Sequence, residues 1–312
     1  MKNPLVTGHE ARDIQKQVAK LLRDLGNPEP PLSLDVVRDR LDLDRQYYDS
    51  SDQSFVRETV HAIKVAGKQI LKRPTLLWDV IRTSDLRALW LPDSKRILID
   101  QELPLLKHRW AEGHEIGHAI TPWHAEYLMG DAEAELSPAC FATIEAEANY
   151  ACGQLLFLQD RFVEEMMSMP LSIDSVKRLK EEFGNTYTST LWRMIEEYRG
   201  SKPVVGIVSV HPVHLNNEFN PDDPCRYVIQ SPRFRDLFAS VTEVELFGTL
   251  QSYCNSRKGG PLGEADVVLS DVNGERYEFH FETFFFHYQA LSLGVCQRKL
   301  NKSALIRRQS AG

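Results

Sequence analysis

The chain has 312 residues, a formal net charge of −7 and 42% hydrophobic residues, which suits one large or two ordinary domains with real cores. The negative charge argues against a surface that is basic throughout, as general nucleic-acid binding requires, and the N-terminus lacks the apolar core of a signal peptide. The longest apolar stretch, residues 279–295, is interrupted by polar side chains and predicts no membrane span. The chain has five cysteines without paired spacing, which indicates reduced thiols and a cytoplasmic protein.

The first part of the sequence predicts helices separated by breakers. Apolar residues at helical spacing indicate an amphipathic helix over residues 9–26, which stops at a glycine. Residues 33–41 predict a short second helix capped by its first serine. The following segment, to about residue 52, is polar and irregular, and residues 55–81 indicate one or two more helices interrupted by a proline.

A β-hairpin is predicted next, over residues 86–91 and 96–99, because the period changes to two and PDSK separates the halves. A helix follows it, begun by Pro104 and ended by Pro122. An edge strand of this pair could align an extended peptide beside the helix by main-chain hydrogen bonds.

The helix carries the pattern H-E-x-x-H at His114, Glu115 and His118. Residues four apart share a helix face, so the two imidazoles can bind one metal ion. Glu115 lies one step round the helix, where it can take the proton of the attacking water and later deliver it to the leaving amine. The pattern therefore predicts a metal site that hydrolyses peptides.

Two residues compete for the third ligand position, and they imply different enzyme groups. His124 gives the spacing of metzincins, but Thr121 stands where those enzymes use a glycine for a sharp turn. Glu145 lies beside the apolar stripe of a predicted helix, and Asn149, one turn later, is placed to orient a ligand histidine from behind. The pattern favours Glu145 and one zinc ion per chain, although manganese or iron would also suit these donors.

RWAEGHEIGHAI, followed further on by E-x-E-A-N-x-x-x-x-x-L-L, resembles the ImmA/IrrE metallopeptidase family, a gluzincin-like group. The resemblance implies that His114, His118 and Glu145 bind the metal, with Glu115 as the catalytic carboxylate. It also implies a protein substrate, a helix-turn-helix transcriptional repressor, in stress response or mobile-element control. Under this assignment, His124 is predicted to swing towards the cleft and hydrogen-bond the oxyanion or orient the substrate.

The resemblance covers roughly the first 200 residues, with one strong pair of motifs and two weak ones. NPEPPLSLDVVRDRLDL resembles the family's usual opening, and SVKRLKEEFGNTYTSTLWRMIEE resembles the helices that commonly follow its catalytic region. The chain departs from the family at Ala151, where phenylalanine is frequent, and at Phe157 and Leu158, where the helix usually ends with Met-Pro. Residues 52–85 resemble a helical insertion.

Residues 172–183 and 186–198 have the spacing of a helix-turn-helix. The second predicted helix sets Arg193 against Glu196 and Glu197, which leaves little positive charge for phosphates. We therefore expect this segment to pack against the protein or recognise a partner, and direct nucleic-acid binding is not predicted.

From residue 204 onward the pattern is rich in β-strands, with an Asn273-Gly274 turn between two of them and helices near Phe234 and over residues 244–253. The predicted strands are residues 204–210, 226–230, 267–271 and 275–286. The region is similar to the GAF-like regulatory domain of some IrrE-type proteins. Its clustered phenylalanines predict a core, and the scattered histidines are interpreted as structural or surface residues: His211, His214, His280 and His287.

These patterns predict an α+β protein with a mostly helical, gluzincin-like metallopeptidase domain and a small β-sheet over residues 1–169. A helix-turn-helix-like segment and linker follow over 170–202, then a C-terminal α/β domain over 203–298 and a mobile basic tail over 299–312. The predicted function is a cytoplasmic zinc-dependent endopeptidase of narrow specificity.

Two other functions stay open. One is a metal-binding regulatory protein that recognises a partner without hydrolysis, and the other is a general oligopeptidase. Glu115 disfavours the first, since a structural metal site has no use for that carboxylate. The sequence does not indicate an oligomeric state.

Overall fold

The computed structural model describes most of the chain as a mixed α+β protein, comprising residues 6, 8–48, 88–129, 138–217 and 219–300. The described residues form two units. The first holds those up to Arg161 together with Glu182–Thr186, and the second holds Phe162–Glu181 and those from Tyr187 onward. Within these ranges no helix is long and apolar enough to cross a membrane.

The described part of the first unit is mainly helical. Its helices are α1 (Gly8–Asp24), α2 (Leu34–Leu41), α3 (Leu105–Ile120), α4 (Pro122–Met129) and α5 (Pro138–Leu156). Its strands are β1 (Asp44–Tyr48), β2 (Ala88–Leu91) and β3 (Arg96–Asp100), in the order β1-β3-β2. β1 runs parallel to β3, and β2 runs antiparallel to β3. The pairing of β2 with β3 confirms the described part of the predicted hairpin.

The prediction of an irregular segment after α2 is wrong for residues 44–48, which form β1. This strand is polar and half exposed, so its sequence lacks the apolar alternation that marks a strand. It forms because it pairs with β3, which is distant along the chain. The predicted helical insertion, residues 52–85, lies outside the described residues.

Buried charges on α3 tie this helix to the elements before it. Glu112 is 3% exposed and accepts hydrogen bonds from Arg38 Nε of α2 (2.6 Å) and Arg45 Nη1 of β1 (2.8 Å). Arg109 donates to the Leu32 carbonyl oxygen at 2.8 Å. A buried carboxylate with two charged donors is well satisfied, so these contacts fix the position of the helix that bears H-E-x-x-H.

The packing of α3 against α5 depends on glycine. A Cβ atom added at Gly117 would lie 2.6 Å from the carbonyl oxygen of Ala148, and one at Gly113 would lie 3.0 Å from Cys152 Sγ. The two helices therefore approach each other more closely than larger side chains would permit. α3 ends at Thr121, whose hydroxyl donates to the Gly117 carbonyl oxygen at 2.8 Å, and α4 begins directly afterwards at Pro122.

The second unit contains a five-stranded antiparallel sheet in the order β5-β4-β8-β7-β6. The strands are β4 (Val204–Ser209), β5 (Cys225–Gln230), β6 (Gly260–Ser270), β7 (Arg276–Phe286) and β8 (Gln289–Lys299). The helices that lie wholly or mainly in this unit are α6 (Asp160–Met167), α7 (Ile173–Phe183), α8 (Tyr187–Glu196), α9 (Pro232–Leu237) and α10 (Glu243–Tyr253).

The helices of this unit cover both faces of the sheet. On one face Phe279 and Phe281 of β7 are fully buried in a cluster with apolar residues of α9 and α10, which confirms their prediction as core residues. The opposite face packs against α8, where Gly206 of β4 lies so close to Ile195 that an added Cβ would be 2.3 Å from its Cδ1. α8 is thus part of the sheet's packing, whereas the sequence set residues 170–202 apart as a separate segment.

The positions of the predicted strands are confirmed, but one strand was not predicted and another begins earlier than predicted. β8 was not predicted, and β6 begins at Gly260, before the predicted start at residue 267. The early part of β6 contains proline, glycines and charged residues, which disfavour strands in isolation, and it forms by pairing with β7. Residues 301–312 of the predicted tail lie outside the described residues, while Lys299 ends β8.

Candidate metal centre

Three side chains of the first unit converge on one point: His114, His118 and Glu145. The two Nε2 atoms lie 3.2 Å apart. Oε2 of Glu145 lies 3.2 Å from His114 Nε2, and Oε1 of Glu145 lies 3.4 Å from His118 Nε2. A tetrahedral zinc ion bound at about 2.0–2.1 Å holds its ligand atoms about 3.3 Å apart. The donor set and the separations therefore fit zinc.

The elements that bring these ligands together are α3 and α5. His114 and His118 are one turn apart on α3, so their side chains share a face. Glu145 comes from α5. Because Gly117 has no side chain, α3 and α5 can approach each other closely beside these residues. The structure thus brings together the three residues that the sequence favoured as ligands.

Asn149 lies behind His114. Its Oδ1 is 3.2 Å from His114 Nδ1, and its Nδ2 donates to the Glu145 carbonyl oxygen at 2.9 Å. Because the amide nitrogen is engaged by that carbonyl, the amide oxygen is left to accept a proton from His114 Nδ1. This contact can orient the ring of His114, the role that the sequence predicted for Asn149.

His124 does not join the converging ligand atoms. It is fully buried, and its Nδ1 lies 3.0 Å from Nδ1 of His118, on the edge of that ring opposite the Nε2 that faces Glu145. The expectation that His124 swings towards the cleft is therefore not met. α4 starts at Pro122, directly after α3, and its first turn carries His124 onto the back of His118.

Sequence reasoning missed Glu147 and Trp123. Glu147 is 5% exposed, and its Oε2 lies 2.9 Å from His124 Nε2 and accepts a hydrogen bond from Trp123 Nε1 at 2.6 Å. The sequence offered only a weak signal, an indole and an imidazole side by side and a second glutamate two residues after the predicted ligand. Their contact depends on the packing of α4 against α5, which periodicity does not reveal.

Glu115 is buried next to the ligands, at 4% exposure. Burial raises the pKa of this carboxyl to about 7; the charge on Glu145 also raises it, whereas His114 and a hydrogen bond to the backbone of Trp90 oppose the rise. Near neutral pH such a group can both accept and release a proton, as a general acid–base catalyst must.

The ligand groups have shifted pKa values of their own. Burial works against the charge on Glu145, yet hydrogen bonds to His114 and His118 hold the pKa of this carboxyl well below its usual range. Burial lowers the pKa of His118, while for His114 the hydrogen bond to Glu145 and the charge on Glu115 outweigh burial and raise the pKa. Burial also lowers the pKa of His124, to about 4, so that it is neutral at physiological pH.

Comparisons with known proteins give little beyond the fold. No protein-family model matches the chain, and no curated protein matches it. Eleven chains of solved structures match. One is a Mycobacterium tuberculosis transcriptional regulator, 11% identical, with a TM-score of 0.51 over 92% of this chain and 88% of that chain. At this identity the likeness shows a similar fold and nothing about the site.

Proposed function

We propose that the chain is a zinc-dependent endopeptidase of narrow specificity that acts on a protein regulator in the cytoplasm. The observation that carries the proposal is the convergence of two imidazole nitrogens and one carboxylate at the separations of a tetrahedral zinc site. The buried carboxyl of Glu115, next to His114 on α3, adds a proton carrier that a structural metal site does not need.

His114, His118 and Glu145 would hold the ion, and His118 is suited to this because burial keeps its imidazole neutral. When bound, zinc supplies Lewis acidity to the scissile carbonyl and lowers the pKa of a coordinated water. Glu115 takes the proton of the attacking water and delivers it to the leaving nitrogen, for which a pKa of about 7 is well matched at neutral pH.

The strand β2 offers a way to hold an extended substrate. Among the described strands it pairs only with β3, and the backbone of Trp90 in β2 hydrogen-bonds the Glu115 side chain. The edge of β2 that no described strand occupies is therefore next to Glu115, and a peptide could add there as a further strand.

The family resemblance supports a gluzincin-like catalytic region and a helix-turn-helix repressor as the substrate, in stress response or mobile-element control. The sheet of the second unit, with helices on both faces, suits the GAF-like regulatory domain that the resemblance implies. A structure of similar fold is named as a transcriptional regulator, and a role in gene regulation is consistent with that name.

The experiment that tests the metal site is elemental analysis of protein purified without added metal, together with zinc titration. The wild type should contain or take up about one equivalent, and Glu145→Ala should lose most of its affinity. Glu115→Gln should keep the metal and the fold but lose cleavage by several orders of magnitude, because an amide cannot accept the proton. A wild-type protein that binds no zinc on titration would sink the proposal.

The substrate can be found with Glu115→Gln as a trap, since this variant should hold the target without cutting it. Proteins that co-purify with the trap are compared with those that co-purify with Glu145→Ala, which lacks the site. Each candidate is then incubated with wild type and chelated wild type. Cleavage of one regulator by metal-loaded wild type alone supports the proposal, whereas turnover of short unrelated peptides would point to a general oligopeptidase.

A further inference from the structure

The Nδ1 atoms of the two proposed ligand histidines have different hydrogen-bond partners. His114 meets a neutral amide, Asn149, at 3.2 Å. His118 meets His124 at 3.0 Å, and His124 in turn meets the carboxylate of Glu147 at 2.9 Å. The second arrangement is a chain of three side chains from α3, α4 and α5, and it ends in a buried charge.

The direction of the protons along this chain follows from ligation. A histidine that gives its Nε2 lone pair to a metal carries its proton on Nδ1. His118 then donates from Nδ1 to His124 Nδ1, which must accept and so carries no proton. The ring proton of His124 therefore lies on Nε2 and is donated to Glu147. Each donor meets an acceptor only in this arrangement, because the terminal carboxylate can accept but not donate.

We infer that Glu147 is a positioning residue of the metal site: acting through His124, it holds His118 in the tautomer and ring orientation that bind the ion. The inference rests on the proposed function, since it assumes that His114, His118 and Glu145 hold a metal. Glu147 is not one of the three converging ligand residues, and the hydrogen bonds of its side chain in the described structure are to Trp123 and His124.

The charge on Glu147 is the feature that packing does not explain. A buried carboxylate is costly, and no lysine or arginine pairs with Glu147 among the described residues. A glutamine would have the same shape and would still accept hydrogen bonds from the indole and the imidazole. What the carboxylate adds is a stronger acceptor, which fixes the tautomer of the histidine before it and makes the metal-bound imidazole a better donor.

The test is Glu147→Gln, with Glu164→Gln, the same change at an exposed position of α6, as its matched control. Zinc affinity is measured by competition with a chromophoric chelator, and the environment of the ion is read from the visible absorption of the cobalt-substituted proteins. Glu147→Gln should bind zinc about 10–100-fold more weakly than wild type and shift the cobalt bands. Glu164→Gln should match wild type in both, and thermal unfolding of all three chelated proteins should coincide.

Two further variants test whether Glu147 acts through the relay, that is, the hydrogen-bonded chain Glu147–His124–His118, or through packing. His124→Gln breaks the chain at its middle, so adding Glu147→Gln to it should weaken zinc binding no further, whereas independent effects would multiply. Trp123→Phe removes the other donor to Glu147 and leaves the relay intact. It should bind zinc almost as tightly as wild type.

The outcomes distinguish this inference from the proposed function. Wild type that takes up no zinc overturns both. Wild type that binds zinc, with Glu147→Gln equal to it in affinity and cobalt spectrum, overturns the positioning role alone. A Glu147→Gln protein that fails to fold when chelated, or effects of Glu147→Gln and His124→Gln that multiply in the double variant, would assign Glu147 to the core instead.

Discussion

Two carboxyl groups of the candidate site, the buried Glu115 and the partly exposed Glu145, have pKa values shifted in opposite directions. Glu145 stays ionised because two histidines donate to it, and Glu115 is pushed to about 7 because burial is stronger than its favourable contacts. Pairs of acids with separated pKa values are typical of sites that divide charge stabilisation from proton transfer. Glu115, the residue proposed to carry the proton, is thus also the one whose ionised form is destabilised by burial.

That cost gives a prediction for metal-free protein. The pKa of Glu115 rises from its ordinary 4.5 to about 7 on folding, so the folded state favours the neutral acid. Below about pH 4.5 Glu115 is protonated in both the folded and the unfolded state, so its burial does not reduce stability. As the pH rises towards 7, the free energy of unfolding decreases, by up to about 3 kcal/mol. Glu115→Gln does not titrate, so in chelator at pH 8 it should be more stable than wild type, with the difference fading towards pH 4.5.

Urea unfolding of the two chelated proteins across this pH range measures the effect, with Glu164→Gln as the control that should follow wild type. A constant difference between wild type and Glu115→Gln at all pH values would show that the carboxyl of Glu115 titrates normally in the folded protein.

The sequence predicted the site residues whose relation is set by one helix. His114, Glu115 and His118 follow from spacing along α3, and Asn149 from its place one turn after Glu145. The hydrogen bonds from His118 through His124 to Glu147 could not be predicted from the sequence, because they join three helices. The angle between consecutive helices is decided by packing. His124 illustrates this: its distance along the chain from His118 was known, but not the side of the ring that it meets.

At the scale of elements, α3 and α5 leave no room for a side chain at Gly117. We predict that Gly117→Ala destabilises the protein by about 1–3 kcal/mol, because a Cβ would lie 2.6 Å from the backbone oxygen of Ala148 and the helices would have to separate. Separation would also move Glu145 away from the histidines, so zinc affinity should fall. Thermal unfolding and zinc competition measure the two effects.

Gly248→Ala is the matched control, since Gly248 also lies inside a helix, α10, and has nothing within 4 Å of an added Cβ. There the change should stabilise the protein by about 0.5–1 kcal/mol, because alanine loses less backbone freedom on folding. Equal effects of the two substitutions would contradict the close helix contact.

Most helices and the hairpin could be predicted because their signals are local: apolar periodicity, capping residues and prolines at the ends. β1 and the first part of β6 could not, because their residues do not favour strands and they form only when a partner strand is present. The same limit applies to α8, whose helical spacing was evident but whose burial against β4 depends on Gly206.

At the scale of the whole chain, the burial of α8 bears on nucleic-acid binding. The helix that would read DNA in a helix-turn-helix has its arginine, Arg193, 3% exposed and paired with Glu196 and Glu197 at 3.1 and 2.9 Å. We therefore predict that the protein does not bind DNA at physiological salt, as measured by fluorescence anisotropy with a labelled duplex.

A pair of variants tests the role of that arginine. Arg193→Ala should lower the free energy of unfolding by about 1–3 kcal/mol, because it removes a buried side chain together with its ion pairs to Glu196 and Glu197. It should not change the anisotropy of the duplex. Arg199→Ala, at an exposed position with a looser ion pair to Glu197, should change stability by less than about 0.5 kcal/mol. DNA binding that is lost in Arg193→Ala would reverse this assignment.

The contact between Gly117 and the Ala148 carbonyl also decides when the ligands become ordered. The packing of α3 on α5 at Gly117 does not involve an ion, so the conformational entropy of bringing His118 and Glu145 into range is lost when the polypeptide folds. In small zinc-dependent domains that loss coincides with metal uptake, and the apoprotein is unfolded. Under the proposed function, we therefore expect the ion to meet ligands that folding has already ordered, so that its supply would govern activity but not folding.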